Sequence, residues 1–349
     1  MKIAQVAPLV ESVPPKLYGG TERVVSYLTE ELVRLGHHVT LFASGDSETA
    51  AELVSAAPQA LRLDPRVREL QPYNLIQLDQ VLQRAEEFDI IHFHTELQHF
   101  PLFQNRASRT VTTCHGRLDL PDLPAFYRHF AKMPLISISE TQRAFIPDVR
   151  WVATIHHGLP LELHRLQTQP DGYLAFLGRI SPEKGPDRAI EIAKRAGTRL
   201  RIAAKVDAVD RAYFEAEIRP LLDHPLIAFE GEIDEREKDR FLGGAAALLF
   251  PVDWPEPFGL VAIEAMACGT PVIAFRRGAI PEIVEDGVTG YVVDSVEAAV
   301  DAYHRLGELS RERIRARFGE RFSAGRMALE HLAAYERLLA AAGDLADAA

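Results

Sequence analysis

Residues Pro251 to Phe275 read PVDWPEPFGLVAIEAMACGTPVIAF. An apolar run, AALLFPV at 246–252, feeds into this stretch, and a second one, PVIAF at 271–275, closes it. Between them lies a segment of helical composition, so the whole reads strand, turn, helix, strand, the unit from which parallel sheets are built. Glu256 precedes Pro257, whose ring pushes the preceding residue out of the helical region. A helix is therefore predicted to begin at Phe258, placing the amides of Phe258, Gly259 and Leu260 in a first turn that lacks internal acceptors and faces an anionic or hydroxyl-rich ligand. Glu264 would stand roughly 7 to 9 Å deeper along the axis. It is flanked by Val261, Ala262, Ile263, Ala265, Met266 and Ala267, so a carboxylate there calls for a partner.

The same alternation extends outward in both directions. Upstream of a Pro- and Gly-bearing segment between His156 and Gly172 come KIAQVAP, HVTLFAS, DIIHFH, TVTTCHG, PLISISE and WVATIHHG as strands. A helix is expected over Gly20 to Leu35, and the stretch after Ser44 reads as irregular. Downstream, YLAFLGR, RLRIAAKV, IAFEGEI, AALLFPV, PVIAF and GYVVD alternate with helices over Asp187 to Arg195, over Arg211 to Leu222, from Asp234 and from Phe258. Two Rossmann-like domains follow, at 1–162 and 163–322, with a C-terminal helical segment at 323–349 that opens on a serine cap at Ser323. In such sheets the carboxyl ends of the strands line the ligand crevice, which gathers Ser44, His94, His115, Ser139 and His157 on one edge.

Composition bounds the function. The 349 residues are 47% hydrophobic and 26% charged, which is globular and about two domains long. A formal charge of −11 argues against bulk attraction to nucleic acid or an anionic membrane. Cys114 and Cys268 are far apart in a chain that needs no disulfide, so a reducing compartment is expected. The first residues lack the pattern of a secretory signal and no apolar run reaches ~18 residues. The expected location is the cytoplasm, with at most peripheral membrane contact.

E-P-F-G-L-V-A-I-E, two glutamates with seven residues between them, followed by A-M-A-C-G-T-P-V-I-A, resembles the signature of the family 4 retaining glycosyltransferases of GT-B fold. LGRISPEKG, with Arg179 and Lys184, resembles the opening of that family's second domain. The turn Gly19, Gly20, Thr21, Glu22, the H-x-H of His92 and His94, and the T-x-x-H-G ending at His115 complete the likeness over nearly the whole chain.

The resemblance implies two Rossmann-like domains facing across a cleft, with the C-terminal helix crossing back to the first. It implies a hexose moved from a nucleotide-diphosphate sugar, UDP-glucose by family frequency, to a hydroxyl acceptor with retention, giving an α-linkage. Arg179 and Lys184 would neutralise the diphosphate as a small cationic island, and Glu264 would bind the ribose. Glu256 and the amides of Phe258, Gly259 and Leu260 would hold the sugar, and His115 would contact it. Gly19 and Gly20 would approach phosphate, while Lys205 and the backbone near Ile233 would meet the base. His115, Glu256, Arg179 and Lys184 are the expected catalytic set.

No cofactor is expected beyond the nucleotide sugar, and no metal. His92, His94 and Glu96 alternate on one strand face as ligands could, yet the family carries a similar H-x-H without a metal. The acceptor, whether sugar, small molecule or lipid-linked, would meet first-domain loops such as Glu11 to Tyr18, Glu96 to Arg106 and Arg117 to Arg128. Rival readings are a non-hydrolysing sugar-nucleotide epimerase of the same architecture and a GDP-sugar mannosyltransferase. A nicotinamide oxidoreductase fits poorly, because P-L-V-E-S-V-P-P follows the first strand where G-x-G-x-x-G is required. The arginine-rich segment Ser310 to Arg326 reads as a solvated or contact face.

Overall fold

A computed structural model describes residues 1–16 and 19–347, with side chains to 341. It contains two compact units: Met1–Pro160 together with the residues from Ala324 onward, and Leu161–Ser323. Each is built on one wholly parallel sheet.

In the first unit the strands are β1 (Lys2–Val6), β2 (His38–Ala43), β3 (Glu52–Ser55), β4 (Ile90–Phe93), β5 (Thr110–Cys114), β6 (Leu135–Ser137) and β7 (Trp151–Thr154), in the order β3-β2-β1-β4-β5-β6-β7. The second unit contributes β8 (Tyr173–Arg179), β9 (Leu200–Lys205), β10 (Ile227–Gly231), β11 (Ala245–Phe250), β12 (Val272–Phe275) and β13 (Gly290–Val293), in the order β10-β9-β8-β11-β12-β13. Helices cover both faces of such sheets, so the central strands are buried nearly throughout and read as unbroken apolar runs. The direction of winding reverses between β1 and β4 in the first sheet and between β8 and β11 in the second. At each reversal the loops leaving the two strands diverge and open a crevice at their carboxyl ends.

The stretch after Ser44 is not irregular, contrary to expectation. It holds β3, an edge strand pairing Thr40 to Glu52 and Ala43 to Ser55, and the helix Gln71–Gln83. Only Gln77, Leu78 and Val81 of that helix are buried, a face too narrow to stand out in the sequence. Gln77 crosses to the carbonyls of Ala7 and Phe42, at 3.0 and 3.1 Å. Arg211 to Leu221 is helical with five π-type residues, Phe214–Ile218, in its middle.

The helix Ala324–Asp347 packs against the helix Gly20–Arg34 and β7, inside the first unit. Tyr335, fully buried, is its deepest anchor. Of the arginines of the preceding helix, Arg311–Arg321, Arg313 is exposed, Arg315, Arg317 and Arg321 are half-buried, and the helix makes contacts as well as meeting solvent. Arg311 is buried and donates to the carbonyls of Gln167, Ala245 and Gly243 and to Thr270 Oγ1. One guanidinium thus satisfies chain ends from three elements, which its planar fork suits and a lysine does not.

Arg311→Met removes these donors and leaves buried carbonyls unsatisfied. The expected loss of unfolding free energy of the Leu161–Ser323 unit is ~3 kcal/mol, read by urea denaturation; a loss under ~0.5 kcal/mol, the range of a surface substitution, would contradict this role.

Candidate active site

Strand order determines what meets at the second crevice. β8 and β11 are neighbours, so the loop leaving β8 and the loop leaving β11 lie side by side. They are laced together by Asp253 N donating to Glu183 O at 2.8 Å, and by Arg188 Nε donating to Pro251 O at 2.9 Å. Gly185 takes a left-handed turn, and a Cβ there would lie 2.4 Å from Pro251 O. The residue beside that close contact is Lys184. Its Nζ lies 2.6 Å from Glu256 Oε2 and 4.9 Å from the centre of the Trp254 ring, whose Nε1 donates to the same carboxylate oxygen at 2.8 Å. Glu256 and Lys184 come from separate parts of the sequence; the fold joins them.

Arg179 ends β8 and stands in register with Lys205 at the end of β9. The expected cationic island is charge-balanced here. Arg179 pairs with Glu183 and, at 3.3 Å, with Asp210; Lys205 pairs with Asp207 at 3.0 Å. Clustered cations repel, and these carboxylates offset that repulsion where no phosphate does.

The helix expected from Phe258 begins at Leu260 instead. Gly259 is its N-cap, with a φ of 93° that a side chain resists, and a Cβ there would lie 2.8 Å from the Phe250 ring. The open first turn consequently starts at Leu260, while the amides of Phe258 and Gly259 belong to the turn before it. Phe258 itself is buried, edge-on to Phe322 with ring centres 6.2 Å apart. Glu264 is buried and has the partner its surroundings demand: Lys238 Nζ, at 2.8 Å, on the helix Glu235–Gly243. Ile233 lies in the loop between β10 and that helix, half-buried.

In the first unit Gly19 caps the helix that Gly20 begins, at the β1 side of the reversal. Of the acceptor loop Glu11 to Tyr18, Leu17 and Tyr18 lie outside the described residues. Glu96, in another expected acceptor loop, has its carboxyl raised above the ordinary range by burial.

His115 follows β5 and joins a chain of buried polar groups. Gln5 Nε2 donates to Tyr335 OH at 3.3 Å, and Gln5 Oε1 lies 2.6 Å from His94 Nε2. His94 Nδ1 lies 2.8 Å from His115 Nε2; His92 bridges Tyr335 OH at 2.6 Å and Thr113 Oγ1 at 2.7 Å. Burial pushes His94 and His92 well below the ordinary histidine range, and His115 down to about 3, so all three are neutral at pH 7.

Neutrality fixes the protons. An amide oxygen only accepts, so His94 donates through Nε2 and accepts through Nδ1. His115 must then donate through Nε2, leaving Nδ1 a bare, buried acceptor with no hydrogen-bond partner. Tyr335, taking a proton from Gln5, gives its own to His92 Nδ1. Both nitrogens of His92 and of His94 are committed to hydrogen bonds. His157 stacks on His115 with ring centres 5.2 Å apart. Of the other strand-end residues, Ser139 caps a short helix by accepting from Gln142 N, and Ser44 donates to Asp46 Oδ1 at 2.7 Å. Sequence reading missed Gln5, Lys238 and Tyr335; a glutamine inside the apolar run of β1 was the one signal available.

Cations held by carboxylates thus gather at the strand reversal of the second unit, and the first unit places a neutral histidine acceptor at the end of β5. Comparison with known proteins gives the family. Residues 18–155 match the family described as Glycosyltransferase Family 4, and residues 165–322 match Glycosyl transferases group 1. The chain belongs to the family 4 glycosyltransferases. D-inositol 3-phosphate glycosyltransferases of Mycobacterium tuberculosis and Mycobacterium bovis are 33% identical over 189 residues, covering 52% of this chain and 38% of theirs. The chain thus matches well under half the length of these curated relatives. Among solved structures, AviGT4, a glycosyltransferase involved in avilamycin A biosynthesis, superposes with a TM-score of 0.74 at 24% identity, covering 97% of this chain and 98% of that one. Sucrose-phosphate synthase of Thermosynechococcus elongatus gives 0.76 at 21%, covering 98% and 100%. HepE of Anabaena, in complex with UDP and glucose, gives 0.71 at 19%, covering 97% and 100%. The fold class is GT-B, two Rossmann-like domains. Among the described residues no helix is long and apolar enough to cross a membrane.

Two measurements check the histidine chain. Long-range proton–nitrogen NMR at pH 7.5 should find the proton on Nε2 in His92, His94 and His115; a proton on Nδ1 of His115 would contradict it. Stability should also depend on acid. His92, His94, His99, His115, His157 and His331 are all depressed by burial, His99 to about 3 and His331 to about 4. Below pH ~6.5 the unfolded chain takes up protons that the folded chain refuses. Unfolding free energy should therefore be fully present above that value and fall steadily from pH 6.5 to 4.5 in urea melts; a flat or rising profile would contradict burial of these rings as neutral groups.

Proposed function

We propose that this protein transfers a hexose from a nucleotide-diphosphate sugar, UDP-glucose first among candidates, to an acceptor hydroxyl with retention, forming an α-glycosidic bond. The observation that carries the reading is the meeting of Lys184, Glu256 and Trp254 at the β8/β11 reversal, with Arg179 and Lys205 on the adjoining strand ends. A diphosphate arriving there offers oxygens to cations already gathered and held. Arg179 and Lys184 exchange carboxylate partners for phosphate and stabilise the charge that develops as the C1–O bond to the diphosphate breaks. The structure of HepE in complex with UDP and glucose supports UDP as the nucleotide of the donor.

Glu256 serves as a hydroxyl acceptor and not as a nucleophile. Its Oε2 already accepts hydrogen bonds from Lys184 Nζ and Trp254 Nε1, so that oxygen is engaged and held aside. Without an attacking carboxylate, retention requires same-face substitution through an oxocarbenium-like centre: the acceptor oxygen bonds to C1 as the diphosphate departs, and the acceptor proton passes to a departing phosphate oxygen. Glu264 binds the ribose hydroxyls, Lys205 and the backbone at Ile233 lie toward the base, and the amides about Gly259 and Leu260 hold the sugar. Gly19 and Gly20 approach phosphate. His115 accepts a hydrogen bond from a sugar hydroxyl through its bare Nδ1. No step in this scheme calls for a metal ion or a resident cofactor.

A thermal-shift panel of UDP, GDP and ADP should show stabilisation by UDP above the others; stabilisation by GDP alone would move the assignment to a GDP-sugar mannosyltransferase, and by none would overturn it. Proton NMR of UDP-glucose incubated without acceptor should show slow release of glucose and UDP, whereas epimerised donor would establish the epimerase instead. Lys184→Ala should lower kcat by at least ~100-fold, and near-normal turnover would remove Lys184 from the scheme.

A further inference from the structure

His164 lies just inside the second unit, before β8, and is 1% exposed. Neither of its ring nitrogens makes a hydrogen bond. A buried imidazole with both nitrogens so placed is costly unless something engages them. Two groups face it. On the Nε2 side stands Glu235, at 3.7 Å, and beyond it Glu264. That side already has its cation, because Lys238 Nζ lies 3.2 Å from Glu235 and 2.8 Å from Glu264. On the Nδ1 side stand Asp239 Oδ1, at 3.7 Å, and Cys268 Sγ, itself 4.0 Å from the same oxygen. All three atoms lie within 4.8 Å of one another.

We propose that His164 Nδ1, Asp239 Oδ1 and Cys268 Sγ form a binding site for one Zn²⁺ ion. The donor set is one imidazole nitrogen, one carboxylate oxygen and one sulfur, which suits zinc and excludes the oxygen-seeking calcium and magnesium. Bonds of about 2.0 to 2.3 Å in tetrahedral geometry put ligand atoms about 3.3 to 3.7 Å apart, so the ion draws inward a trio whose atoms now lie within 4.8 Å of one another. Binding forms a Zn–S bond and releases the Cys268 S–H proton to solvent. Thiolate and carboxylate together match the charge of the ion. Asp239, with its side chain 28% exposed, is the open side through which the ion enters and a water completes the shell. Arg311 and Arg315, the nearby cations, are bonded to backbone carbonyls and lie outside the trio.

The site would clamp three pieces of the unit: the segment that enters it, the helix Glu235–Gly243, and the end of the helix Leu260–Ala267. Those two helices carry Lys238 and Glu264. The ion is thus a structural tie beneath the Glu264 pair, distinct from the Lys184–Glu256 site.

The test is titration of chelator-treated protein with Co²⁺ as a spectroscopic stand-in, followed by Zn²⁺ displacement. One equivalent of Co²⁺ should give tetrahedral visible bands and a thiolate-to-cobalt charge-transfer band, both bleached by Zn²⁺. The charge-transfer band should be lost in Cys268→Ser and the binding lost in His164→Leu, with circular dichroism showing each variant folded. Should one of these fail to fold, Asp239→Asn, at a partly exposed position, should still weaken binding. Absence of the charge-transfer band in wild type, or its survival in Cys268→Ser, which would assign it to Cys114, would overturn the proposal.

Discussion

Adjacency of β8 and β11 in the second sheet is the constraint on which the rest depends. In a parallel sheet every strand delivers its following loop to the same edge, and where the winding reverses two loops from distant sequence must share one crevice. That geometry sets Lys184 against Glu256, 72 residues later, at 2.6 Å. The pair is held by backbone as much as by charge: the Gly185 turn packs against Pro251 O, and Asp253 bonds to Glu183. A single ion pair on a mobile surface contributes little to stability, whereas one fixed from both sides fixes the direction of each charge.

The first unit solves a different problem. A buried strand end must present a hydrogen-bonding group without carrying charge. Gln5, Tyr335, His94 and His92 do so by passing donors in one direction, so that the last acceptor, His115 Nδ1, is left open. The chain runs through Tyr335 of the C-terminal helix, which ties that helix to the polar network as well as to the core.

Legibility in the sequence followed the range of the interactions. Both sheets' central strands were readable because burial on two faces leaves continuous apolar runs. Glu256 was singled out because Pro257 marks where the chain must turn, Glu264 because apolar residues flank it, and Arg179 and Lys184 because LGRISPEKG resembles a family segment. The start of the 260–267 helix was misplaced by two residues, since a left-handed Gly259 ends one segment and opens another with no change in hydrophobic pattern. β3 was missed because a short edge strand with half-exposed side chains has no pattern to show. Partnerships far apart in the sequence, Gln5 with Tyr335 across 330 residues or Arg311 with Ala245 across 66, leave no local trace at all. The net charge of −11 misled in both directions: cations do gather at the crevice, yet carboxylates meet every one of Arg179, Lys184 and Lys205.

The central claim is that these gathered cations are there for a diphosphate. Calorimetric affinities of UDP and of uridine, measured on wild type and on the double variant Arg179→Met/Lys184→Met, address it directly. The account predicts that wild type prefers UDP by at least about 100-fold, or ~2.7 kcal/mol, and that the double variant binds the two nearly equally. Undiminished preference for UDP in the double variant would contradict it.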